Sequence, residues 1–104
     1  MFIGTYDPAD PNETDAFSVD LTNRLGTDTL LSNSATVTLS VITGTDAAPN
    51  THLSGGPVIV GNIVTQLIGG LVAGVSYEIV FTASTSSGRI LSSYGIIPCK
   101  AQTA

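Results

Sequence analysis

The segment from Tyr77 to Ser84 constrains this chain more than any other. Tyr77, Ile79, Phe81 and Ala83 alternate with Glu78, Val80, Thr82 and Ser84. A period of two places the first set on one face of an extended strand and the second on the other, a pattern no helix shares. A glycine-rich corner precedes it, with Gly69 and Gly70 at its centre and Gly74 three residues before Tyr77. Thr85-Ser86-Ser87-Gly88 then forms a hairpin loop, and a last strand runs from Arg89 to Ile97, closed by Pro98.

The rest of the chain repeats this texture. Phe17, Val19 and Leu21 alternate with Ser18, Asp20 and Thr22, and Ala35, Val37, Leu39 and Val41 alternate with Thr36, Thr38 and Ser40. Turns are expected at 24–28 and 43–50, with short extended pieces at 29–33 and 51–54. The run Val58 to Leu67 is apolar on both faces. It reads either as one strand, covered on both sides or half covered by a partner, or as a hairpin folded at Gly61-Asn62 in a type I′ turn. Helix formers are few: Lys and Glu are limited to Glu13, Glu78 and Lys100, and charged residues make up 11% of the 104. About seven short strands with regularly spaced turns predict an all-β fold, an Ig-like or fibronectin-like antiparallel β-sandwich. The expected organisation is an extended acidic arm at residues 1–16, the sandwich at 17–98 and a short frayed tail at 99–104.

In Greek-key sandwiches a tyrosine near the start of a late strand hydrogen-bonds back to upstream backbone. Tyr77, behind the glycine corner, fits that role. Tyr77, Gly69, Gly70, Gly74 and Gly88 are therefore expected to be structural.

Chemistry is harder to find. Arg24, Arg89 and Lys100 are the only cations, and the net charge is -5. Three scattered cations do not match a nucleic-acid backbone or an anionic membrane. Residues 47–77 lack charge, but Pro57, Asn62, Thr65, Gln66 and several glycines interrupt any membrane span. The start of the chain lacks the basic residues and long apolar core of a secretory leader. Cys99 is the only cysteine, which excludes an intrachain disulfide and agrees with assembly in a reducing cytoplasm. His52 is the only histidine, and no nucleophile elbow accompanies it. One His and one Cys do not make a zinc site. The arm's acids lack the spacing of a calcium loop, and no two carboxylates are placed about a bond for glycoside hydrolysis. No enzyme, cofactor or metal is expected. The surface reads as neutral and rich in Ser and Thr, which suits permanent packing between subunits.

Three motifs in order carry a family resemblance. Asp7-Pro8 leads to Phe17-Ser18-Val19-Asp20; Leu67-Ile68-Gly69-Gly70 leads to Gly74-Val75-Ser76-Tyr77; Thr85-Ser86-Ser87-Gly88-Arg89 closes the set. Over residues 7–97 the layout resembles the phage fiber-tail adaptor family, small Ig-like virion proteins of tailed bacteriophages. The chain departs from that family in having no tryptophan, with Leu21 and Gln66 at about the usual places. The resemblance implies a structural virion protein in several symmetric copies, linking tail or neck to tail fibers, and assembled in the host cytoplasm. A capsid or neck decoration protein and a carbohydrate or host-surface binding module are the alternatives. It implies no catalytic residue. The interface residues it offers are Asp7, Asp10 and Asp15 of the arm and Arg89 of the hairpin.

Overall fold

A computed structural model describes residues 2–100 of the chain. Seven strands form two sheets: β1 (Phe2–Thr5), β2 (Thr14–Asp20), β3 (Thr36–Thr43), β4 (Leu53–Val60), β5 (Ile63–Gly69), β6 (Ser76–Ser84) and β7 (Ile90–Pro98). One sheet runs β1-β7-β6-β3 and the other β2-β5-β4. All pairings are antiparallel except β1 on β7. This is the Ig-type partition with the first strand moved from the second strand's sheet to the last strand's.

The alternation read from the sequence sets the layers. Tyr77, Ile79, Phe81 and Ala83 of β6 are all buried, as are Phe17 and Val19 of β2, Val37 and Leu39 of β3, and Val64 and Ile68 of β5. The two inner faces meet in a single core that also takes in Leu91, Ile97 and Cys99. A core phenylalanine such as Phe81 anchors about 3–5 kcal/mol against truncation to alanine.

The Val58–Leu67 run is a hairpin, as one of the two readings held. Gly61 has φ 59, while Asn33 alone among the described non-glycine residues has positive φ. The Gly61-Asn62 turn therefore carries positive φ at its first position only, which is the type II′ pattern and not type I′.

Several local expectations are corrected. Of the arm expected at 1–16, residues 2–16 are not free, and Met1 lies outside the described residues. Phe2 pairs with Tyr94, Gly4 with Gly95 and Thr5 with Ile96. Further on, the Ala9 N–H donates to the Pro98 carbonyl at 2.8 Å and the Lys100 N–H to the Ala9 carbonyl at 2.9 Å. These partners lie some ninety residues away in sequence, so no local pattern announces them. Strand β2 also begins at Thr14, inside that stretch. The turn expected at 24–28 starts earlier, as a one-turn helix α1 (Thr22–Leu25). It forms because Leu21 and Leu25, four apart, both enter the core at 2% exposure. A short 3-10 turn, Pro49–His52, replaces part of the loop before β4. Of the expected tail, Cys99 is core and Lys100 is hydrogen-bonded; residues 101–104 lie outside the described residues. The uncharged 47–77 stretch folds into this turn, the β4–β5 hairpin and the corner. No helix among the described residues is long and apolar enough to cross a membrane.

Candidate functional site

A cluster with residue types used in catalysis sits at the corner end of the sandwich. β6 presents Tyr77, the β3–β4 connection presents Asp46, and the 3-10 turn presents His52. Asp46 Oδ2 accepts the Tyr77 hydroxyl at 2.8 Å and meets His52 Nε2 at 2.7 Å. Asp46 Oδ1 accepts the Ala48 N–H at 3.1 Å. The Tyr77 hydroxyl in turn accepts the Val72 N–H at 3.0 Å, the backward bond of a tyrosine corner. The Tyr77 hydroxyl, ahead of His52, holds the Asp46 carboxyl below the usual carboxylate range. Burial above all, and Asp46 beside it, push the Tyr77 phenol up to about 12. Tyr77 has no exposed surface. A fully enclosed phenol with a raised pKa is a poor nucleophile or proton donor, so the cluster ties the β3–β4 connection to the glycine corner and the start of β6.

Glycines make that corner possible. Gly70 and Gly74 have φ 70 and 82, a region that side chains with a Cβ avoid. Gly69 instead lies against Thr14, whose hydroxyl a Cβ would overlap. Gly88 takes φ 88 in the β6–β7 loop, where its N–H donates to the Thr85 carbonyl at 3.0 Å.

Arg89 has intramolecular partners. Its Nε donates to Asp28 Oδ2 at 2.9 Å, and its NH2 nitrogen reaches the same oxygen at 2.7 Å. The same nitrogen donates to the Arg24 and Leu25 carbonyls at 3.1 and 3.0 Å. It thus closes the end of α1, where unpaired carbonyls favour a cation. Hydrogen bonds from Ser87, then Arg89, hold the Asp28 carboxyl low. This geometry joins Arg89 to its own domain instead of offering it to a partner.

The three acids of the lead-in differ. Asp10 is buried at 8% exposure, and its Oδ1 accepts the Asn12 N–H at 2.8 Å; it builds a turn. Asp7 and Asp15 are exposed. Cys99 is buried, and burial first and Asp10 second push its thiol up, away from the reactive thiolate. Among the described residues no group of three or more His, Cys, Asp or Glu is placed to hold a metal ion.

Two surfaces stand out, the first of them within the uncharged 51–67 strands. Register places Val58 beside Thr65, and Val60 beside Ile63, on the outer face of the β2-β5-β4 sheet. Val58, Val60, Ile63 and Leu67 are 57%, 69%, 39% and 47% exposed there. On the outer face of the other sheet, Phe2 and Tyr94 stack with ring centroids 5.3 Å apart and planes tilted by 46°. Read along the sequence, those two aromatics are too far apart to form a platform. Parallel pairing of β1 on β7 puts them together.

Searches against protein-family models, curated proteins and solved structures find no match to this chain.

Proposed function

We propose that the chain is a non-catalytic structural subunit of a tailed-phage particle, an adaptor that links tail or neck to tail fibers and is built into the virion in several copies in the host cytoplasm. The three-motif resemblance supports this reading. The observation that carries it is the apolar strip Val58, Val60, Ile63 and Leu67 on the outer face of one sheet. Isolated apolar residues are common on any surface, but four exposed on one sheet face favour a face that a permanent neighbour covers. The internal engagement of Asp46, His52 and Tyr77 further favours a non-enzyme. Other virion proteins are the partners, with no nucleic acid, membrane or cofactor involved.

The test is incorporation. Tailed particles purified from the host should contain the chain by mass spectrometry. The double variant Val58→Asp, Val60→Asp should melt at the wild-type temperature and be missing from particles. Particles that lack the wild-type chain would overturn the reading.

A second reading, a carbohydrate or host-surface module, is favoured by the Phe2–Tyr94 pair, since exposed aromatic faces stack on sugar rings. Glycan-array binding that is lost in Tyr94→Ala would select it.

A further inference from the structure

The sandwich has four edge strands, and they are not equally guarded. Open edges invite pairing with other chains unless bulges, prolines or charges oppose it. β1 is short and breaks register between Phe2 and Gly4. β4 breaks register between Ser54 and Val58 and contains Pro57. β3 breaks register between Val41 and Thr43. β2 alone runs in unbroken register over Thr14–Asp20, with no proline; its only charges are Asp15 and Asp20.

The register also says which groups β2 offers. Glu13 and Leu21 bond backbone-to-backbone with Gly70 and Asn62. Odd-numbered residues therefore point their backbone groups at β5, and Ala16, Ser18 and Asp20 point theirs outward. The Ser18 carbonyl takes the Tyr6 hydroxyl at 2.8 Å and the Ala16 N–H takes Asp15 Oδ1 at 2.8 Å. Among the described residues nothing takes the Ala16 carbonyl or the Ser18 and Asp20 N–H groups. In the four-plus-three Ig layout a strand occupies this position; here the first strand lies on the other sheet and the position is open.

A seam follows this edge. A groove of 440 Å³ between Phe2–Tyr6 and Ser18–Asp20 is followed by one of 210 Å³ lined by Tyr6 to Asp10, Glu13 and Asp15 to Phe17. Asp20 lines the first, and Asp7, Asp10, Glu13 and Asp15 line the second; no Lys or Arg lines either.

We infer that the free edge of β2 is a docking site for an extended, lysine- or arginine-bearing segment of another protein, which adds to the β2-β5-β4 sheet as a fourth strand. Main-chain hydrogen bonds supply the pairing and the acid-lined seam selects the charge. The same acids oppose a second copy of this chain, whose net charge is -5. The inference goes beyond the assembly role proposed above and uses a different surface, so it is tested on the purified chain without particles.

The probe is an octapeptide of alternating lysine and valine, titrated into isotopically labelled protein and followed by NMR. We expect the Ser18 and Asp20 amides to shift and to gain protection from hydrogen exchange, with binding weakening as salt is raised. The same peptide with alternate backbone nitrogens methylated, and its glutamate-valine counterpart, should bind at least tenfold more weakly. Ser18→Pro removes an outward N–H and should weaken binding by a similar factor. Asp15→Asn with Asp20→Asn keeps the shape of the edge and should weaken it severalfold and flatten the salt dependence. Equal binding of the methylated peptide, equal binding of the glutamate peptide, or shifts centred on β3 or β4 would each overturn the inference. So would a concentration-dependent homodimer that protects the same two amides.

Discussion

The Tyr77 hydroxyl donates to Asp46 Oδ2 at 2.8 Å, across 31 residues of chain. A tyrosine corner ordinarily ties a strand to backbone just upstream. Here the same hydroxyl also accepts the Val72 N–H, so one buried oxygen fastens the corner to the far connection between β3 and β4. Tyr77→Phe keeps the ring and removes both bonds. The expected cost is about 1–3 kcal/mol, read in a thermal melt as a fall of at least several degrees. An unchanged melting temperature would remove the corner from the list of what holds this fold.

Asp46 gives the fold an acid limit. Its carboxyl ionises more readily in the folded chain than in the unfolded one, mainly because of the Tyr77 hydroxyl. A lowered folded value means that its stabilisation is complete above the ordinary carboxylate value of 3.8 and is lost as pH falls through the lower folded value. The urea midpoint of the wild type should therefore drop as pH is taken below about 4, and Asp46→Asn should show a shallower drop. Parallel curves for the two proteins would assign the acid limit elsewhere.

Gln66 is a polar residue on the inner face of its sheet, 1% exposed. Its Nε2 donates to the carbonyls of Ser54 at 3.3 Å, Gly55 at 3.1 Å and Leu67 at 2.9 Å. Two of these lie where β4 loses register with β5. The side chain thus supplies donors that the bulge takes from the ladder. Gln66→Leu should raise hydrogen exchange in β4 and cost about 1–3 kcal/mol in denaturant unfolding. Stability equal to wild type, with β4 amides unchanged, would show that water serves those carbonyls as well.

Gly95 sets how closely β1 approaches β7. A Cβ there would stand 3.0 Å from the Gly4 carbonyl oxygen and from the Tyr6 ring, and 3.1 Å from Ile3. Gly95→Val should detach β1, with new exchange at residues 3–5 and loss of the Phe2–Tyr94 ring contact. β6 and β7 should stay paired. Full protection of β1 in the variant would mean that the strands separate without cost.

The sandwich was legible where the pattern was local. Tyr77 through Ala83 announce their face by alternation alone, and Phe17 with Val19 and Val37 with Leu39 do the same; all are core. The corner was legible because glycines and a tyrosine have few other uses together. What escaped depends on distant partners. Phe2 and Ile3 look like the head of an arm until Tyr94 and Gly95 are placed beside them. Gln66 reads only as a polar interruption of an apolar run until the β4 bulge supplies its acceptors. Arg89 reads as a free cation, because nothing in its neighbourhood announces Asp28 and the end of α1, some sixty residues earlier. Leu21 and Leu25 are a helical pair too short to register as a period. The apolar strip was partly visible as the run Val58 to Leu67, but only the hairpin turn decides which of its residues face outward.

The parallel pairing of β1 with β7 has a mechanical consequence. The chain enters β1 at one end of the sheet and leaves β7 at the other, while the two strands lie side by side. Tension applied through the two ends therefore slides β1 along β7, loading the bonds of that short ladder and those around Ala9 together. A hairpin pulled at its open end would release them one at a time. The weakest strand of the sheet by length is thus arranged in shear, the geometry in which few hydrogen bonds resist the most force.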